Sequence, residues 1–168
     1  MAFKIIGIMF VIMTTTLVGI GMARSLSERE NRLRLIVLML DRFSTLIDFQ
    51  GVHTGQLLIQ TAQDSQFKEL CFLKKAVVLY NSGEKFANAW EIAIKNDTVL
   101  GEEEKSILIC VGNSIGRSNT DGQLSMLSVH RQSIEKLYEN ISHENLGKGK
   151  LYRSLGVLAG VFISVMIV

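Results

Sequence analysis

Two apolar stretches, one at each end of the chain, constrain this sequence more than any other feature. Residues Phe3 to Met22 read FKIIGIMFVIMTTTLVGIGM. A helix of that length rises about 30 Å, the thickness of a bilayer's hydrocarbon core. Lys4 is near enough to the end to snorkel, and the hydroxyls of Thr14, Thr15 and Thr16 can bond back to helix carbonyls. At the other end, Leu155 to Val168 read LGVLAGVFISVMIV. That stretch rises only about 21 Å, and extending it back to Leu151, with Arg153 snorkelling, brings it to about 27 Å. Local bilayer thinning covers the remainder, with burial in the interface as the alternative.

Charge follows the same division. All 16 acidic residues and 17 of the 18 Lys and Arg lie between Arg24 and Arg153. The expected organisation is a transmembrane helix over 3–22, a cytosolic helical bundle over 24–150 and a C-terminal transmembrane helix over 151–168. Orientation comes from the flanks. Arg24, Arg29, Arg32 and Arg34 follow the first stretch, Lys148, Lys150 and Arg153 accompany the second, and Lys4 alone opposes them. An excess of Lys and Arg marks the cytoplasmic side of a membrane. A rival reading takes Gly21-Met22-Ala23 as a signal-peptide cleavage site and the C-terminal tail as an anchor signal, giving an exported domain. Its single N-terminal cation, long apolar run and the arginines that follow count against it.

The middle reads as all-α. Proline is absent from the chain, so nothing forces a kink. Leu33, Ile36, Leu40, Phe43 and Ile47 recur at heptad steps, and Leu35, Met39, Leu46 and Phe49 form a second stripe. A helix apolar on two sides belongs in a bundle. Gly51 is expected to end it. Shorter helices follow at about 54–63, 66–80, 84–95 and 102–115, divided by Asn81-Ser82-Gly83 and Asn96-Asp97. A last helix starts with a box formed by Ser118 and Asp121 and carries Leu124, Leu127, Arg131, Ile134, Tyr138 and Ile141, until Gly147-Lys148-Gly149 interrupts it. Period-two alternation is lacking, so strands are not expected. Cys71 and Cys110 sit in apolar stretches and are expected as buried free thiols.

No catalytic or ligand signature emerges, and no metal or cofactor is expected. His53, His130 and His143 have no metal-like spacing and are expected in loops or at the solvent surface. Gly112 to Gly116 lacks the Lys-Ser/Thr of a phosphate loop, and close helix packing or a helix C-terminus explains its glycines. Trp90 is expected in the core. The middle carries a net charge of only +1, from 17 basic minus 16 acidic side chains, without the basic stripe that nucleic acid requires. Glu102, Glu103 and Glu104 suit the positive end of a helix dipole as a solvated first turn, or could meet a cation or a basic partner. In the end segments, Gly156, Gly160 and Ser164 recur at every fourth position, as do Thr15, Gly19 and Ala23. Small residues at that spacing let membrane helices approach closely.

The order of these features resembles the stage III sporulation protein AB family of endospore-forming bacteria. The resemblance rests on Thr14-Thr15 through Gly19 to Ala23-Arg24, Leu33 to Leu40, Ala89-Trp90-Glu91 with Ala93, Gly112, Gly116 and Ser118-Asn119, and Tyr152 to Gly160. There are departures. Gly51 to Leu57 lacks the family's proline turn, Asn119 stands where an aspartate is usual, and an acidic position near Leu46 is replaced. The resemblance implies a component of a mother-cell membrane complex that serves a channel to the forespore. It also implies a bundle of about six helices similar to the cytoplasmic domains of type II secretion and type IV pilus platform proteins. A secretion-type ATPase of the same complex is the implied partner, beside other channel-complex membrane proteins, and no enzymatic activity is implied. Oligomers are compatible with this role. The acidic residues Glu84, Glu91, Glu102, Glu103 and Glu104 are the expected partner surface, since charged faces steer such encounters.

Overall fold

The computed structural model describes residues 2–50, 53–117 and 119–167. Side-chain environments are described for residues 13–21, 24–49, 53–117 and 119–145, and for Met9, Ser154 and Leu158. In chain order the elements are α1 (Ala2–Gln50), α2 (Thr54–Gln63), a 3₁₀ turn (Ser65–Phe67), α3 (Cys71–Asn81), α4 (Phe86–Lys95), α5 (Glu102–Ser114) and α6 (Thr120–Ile167). The described residues contain six α-helices and no strand, so the all-α expectation holds.

Two units divide the chain. One comprises residues 32–137, and the other residues 1–31 with 138–168. In the first, the heptad stripe Leu33, Ile36, Leu40, Phe43 and Ile47 is buried, as are Leu35, Met39 and Leu46 of the second stripe. Phe49 departs from its stripe and is 81% exposed, because the last turn of α1 leaves the core. Leu57 and Leu58 of α2, Phe72, Leu73 and Ala76 of α3, Leu108 and Val111 of α5, and Leu127 and Ile134 of α6 complete the apolar interior. Each of the larger side chains among these contributes roughly 1.5–3 kcal/mol on burial, before the entropy of ordering the chain is set against it. Arg131 of α6 donates to Asp41 of α1 at 2.6 Å and to Glu135 at 2.7 Å. The hydrogen bond to Asp41 is the chief reason its guanidinium holds its proton more firmly than usual. In the second unit Glu30 accepts from Ser142 at 2.8 Å and from Asn145 at 2.8 Å, and the Asn145 amide also reaches the Leu26 carbonyl at 3.1 Å.

Local chemistry sets the boundaries. The Asp64 carboxylate accepts from the Gln66 N–H at 2.9 Å and opens the 3₁₀ turn, so α3 begins at Cys71 rather than at Gln66. Helix α3 closes with Gly83 in the left-handed region at φ 101°. The Gly83 N–H donates to Tyr80 at 3.0 Å and the Glu84 N–H to Leu79 at 3.2 Å, the paired bonds of a Schellman end. Lys85 is extended, which delays α4 to Phe86. Ser118 lies outside the described residues. Asn119 caps α6 instead, accepting from the Gly122 N–H at 3.2 Å. The expected interruption at Gly147-Lys148-Gly149 does not occur, and α6 runs unbroken to Ile167. Glycine in a helix interior costs only about 1 kcal/mol, which the rest of a long helix can absorb. Gly51 lies outside the described residues.

Both cysteines are free and exposed, which corrects the expectation of buried thiols. An apolar neighbourhood in sequence does not say which side of the helix a residue occupies. Cys71 shares the outer side of α3 with exposed Lys74, Lys75 and Val78. The folded chain is therefore expected to consume two equivalents of a thiol reagent without denaturant, at rates close to those of the unfolded chain. Protection of either thiol by an order of magnitude would contradict this placement.

Candidate functional site

Helix α4 positions the site. Phe86, Ala89, Trp90, Ala93 and Ile94 are its buried side, while Asn88, Glu91 and Lys95 face outward. Trp90 fixes the rotation of that helix. Its ring lies 5.8 Å from Phe43, 5.5 Å from Phe72 in an edge-on arrangement and 5.8 Å from Phe86 in a stacked one. Its indole N–H donates to the Leu108 carbonyl at 2.6 Å. Gly112 of α5 lies directly against the indole, and a Cβ there would fall 2.9 Å from Nε1 and closer still to Cδ1. Trp90 is thus core, as expected from the sequence.

With α4 locked, its outer side and the Schellman turn line a groove of about 610 Å³. Glu84, Lys85, Asn88 and Glu91 form one wall, and Asn113 of α5 and Arg117, just beyond that helix, come from the other side. Glu84 accepts from the Asn88 amide at 2.9 Å, and Glu91 pairs with Lys95 at 2.6 Å. Both carboxylates are half-buried and held in place, next to a guanidinium and two amides. Such a lining can recognise a polar or charged partner segment, because its carboxylates, cations and amides offer directed hydrogen bonds and charges.

The structure separates the five expected partner residues. Glu84 and Glu91 meet in the groove, whereas Glu102 and Glu103 are exposed at the far end of α5, about 17 Å along the helix from Asn113. Glu104 is 2% exposed, which corrects the reading of the whole run as a solvated turn. Its position is one turn ahead of buried Leu108 and two ahead of Val111, so helical periodicity carried the signal. Asn88, Asn113 and Arg117 went unread as site residues. Arg117 follows the glycines at 112 and 116, and the antiparallel neighbourhood of α4 and α5 that places it here needs the tertiary fold.

Of the small-residue stripes, Thr15 is half-buried and Gly19 buried. Ala23, Gly156, Gly160 and Ser164 lie outside the residues whose side chains are described. Among the described residues, no helix is long and apolar enough to cross a membrane. No three His, Cys, Asp or Glu side chains gather into a metal-holding group among them. His53 and His143 are exposed, but His130 is a half-buried helix residue, and burial lowers its pKa.

Comparison with known proteins joins these observations. Residues 4–168 match the sequence model of stage III sporulation protein AB. Stage III sporulation protein AB of Bacillus subtilis strain 168 is 24% identical over 176 residues, covering 98% of this chain and 98% of that relative. No solved structure matches. With nearly its entire length matched, the chain belongs to the stage III sporulation protein AB family.

Proposed function

We propose that this chain is a membrane-anchored, non-catalytic platform in a secretion-like channel complex of endospore formation, coupling a cytosolic ATPase to the mother-cell membrane. Membership of a sporulation family over nearly the whole chain supports the process. The observation that carries the platform reading is the continuity of α1 and α6. Each begins or ends in an apolar terminal stretch and runs unbroken into the unit that holds the Trp90 core. A helix that holds residues of both the apolar terminal stretch and the bundle is the shortest covalent path for a displacement between them.

In this reading the segments 3–22 and 151–168 are the spans, and the basic residues from Arg24 to Arg34 and Lys148 to Arg153 keep the bundle in the cytosol. The groove of Glu84 and Glu91 is the face offered to the ATPase, and other channel-complex membrane proteins and the lipid itself contact the terminal helices. Small residues Thr15, Gly19, Ala23, Gly156, Gly160 and Ser164 are the proposed contacts within the membrane.

Reporter insertions test the topology. An enzyme reporter that works only after export is expected to be silent when inserted after Asn96 and active when fused after Val168. An active insertion at Asn96 with a silent C-terminal fusion would overturn the orientation and favour the exported reading.

A further inference from the structure

A second depression, distinct from the groove of Glu84 and Glu91 and sharing no lining residue with it, runs between α3 and α4. Val78, Leu79, Ile92 and Ala93 make it apolar, and Lys74 and Lys75 stand at its rim. Val78 is 68% exposed. Lys75 reaches the Asn96 carbonyl at 3.4 Å, and no carboxylate lines the depression. An apolar surface rimmed by cations complements an apolar knob flanked by carboxylates.

Such a knob lies beside it. The chain leaves α4 at Asn96, turns, and presents Val99, 50% exposed, just ahead of exposed Glu102 and Glu103. Glu102 is partly engaged by Lys105 at 3.0 Å, which leaves Glu103 as the leading charge. The turn is held firmly. Asp97, 5% exposed, accepts from the Val99 N–H at 2.8 Å and from the Leu100 N–H at 3.2 Å. A pre-ordered knob loses little entropy on binding. Val99 is three positions on from Asn96 of the depression, a reach of at most about 11 Å, so groove and knob are neighbours on the surface. The exposure of Val99 shows that it does not fill the groove of its own chain.

A face that carries both halves of a complementary pair side by side suits two-fold association, in which each half meets its counterpart twice. We propose that this face joins two copies of the chain, Val99 of each entering the α3–α4 groove of the other, with Glu103 and Glu102 meeting Lys74 and Lys75. The pairing does not depend on the membrane reading, and it leaves the Glu84 and Glu91 groove open.

Crosslinking of the full-length chain in mild detergent tests it. Cys71→Ser and Cys110→Ser remove the native thiols. One tagged population then carries Val78→Cys and a second Val99→Cys, and the two are oxidised together. The mixed adduct is expected at least tenfold above that formed between Val78→Cys and an exposed control, Gln132→Cys. Lys74→Glu with Lys75→Glu in the first population should reduce it, and Glu102→Lys with Glu103→Lys in the second should restore it. Restoration requires the two surfaces to face each other, which association through the terminal helices alone cannot provide. Every substituted position is exposed, and circular dichroism should show unchanged helicity. An adduct at the control level, or one indifferent to the charge exchange, would overturn the proposal.

Discussion

Trp90→Ala is expected to destabilise the bundle by about 4 kcal/mol, the range in which large aromatic truncations of a core fall. The side chain is fully buried, touches rings from α1, α3 and its own helix, and ties α4 to α5 through the Leu108 carbonyl. For a domain near 100 residues, each kcal/mol moves the melting temperature by roughly 4–8 °C, so the transition should fall by at least 15 °C. Trp90→Phe should fall between wild type and alanine, since it keeps an aromatic body but loses the indole N–H. The two transitions, followed by circular dichroism, check this. A loss under about 1 kcal/mol for the alanine variant would mean that Trp90 does not organise the core.

Gly112→Ala is expected to destabilise the bundle as well, although alanine is the better helix former by about 0.5–1 kcal/mol. The added Cβ would fall 2.8 Å from Cγ of Trp90 and 2.9 Å from its Nε1, with Cδ1 nearer than either. Packed rings and a 2.6 Å hydrogen bond hold the indole, so it has no room to retreat. Overpacking of this kind costs about 1–3 kcal/mol, and here the upper part of that range should exceed the helical gain, leaving a net loss of about 2 kcal/mol. A double-mutant cycle gives a sharper measure. In a Trp90→Leu background the penalty of Gly112→Ala should shrink or change sign, because the clashing ring is gone. Additive effects would show that the clash is not the cause.

Periodicity made much of this fold legible. The α1 stripe, the start of α5 and both ends of α2 follow from apolar spacing and turn residues that act locally, and the buried α1 positions from Leu33 to Ile47 agree with it. What failed depended on tertiary placement. Cys71 and Cys110 lie in apolar runs yet face outward, because each helix here is short and only one side of it meets the core. Phe49 keeps the spacing of its stripe but sits where α1 has passed the end of the core. The helix expected from Gln66 begins at Cys71 because a single side-chain bond from Asp64 diverts the chain into a 3₁₀ turn.

The site was legible in part for the same reason. Acidic residues were found by composition, but grouping them required knowing that the C-terminal end of α5 lies beside the start of α4. That juxtaposition gathers Glu84 and Glu91 with Asn113 and Arg117 and sends Glu102 and Glu103 elsewhere. Glu104 cannot belong to any docking surface, and reversing its charge would test folding rather than binding. In the proposed platform the surface offered to the ATPase is therefore that of Glu84 and Glu91, and the exposed pair on α5 is left to the proposed association of two copies.

Co-flotation of the ATPase with vesicles tests the platform most directly. The full-length chain is reconstituted in liposomes, mixed with the secretion-type ATPase proposed as its partner, and spun through a density gradient. The ATPase is expected to float with vesicles that carry the chain and to remain at the bottom with empty ones. Glu84→Lys with Glu91→Lys should reduce the floated fraction, more at low than at high ionic strength, because charge steering is screened by salt. An ATPase that stays at the bottom with correctly folded, vesicle-bound chain, or that floats equally well with the charge-reversed variant, would contradict the coupling proposed for this protein.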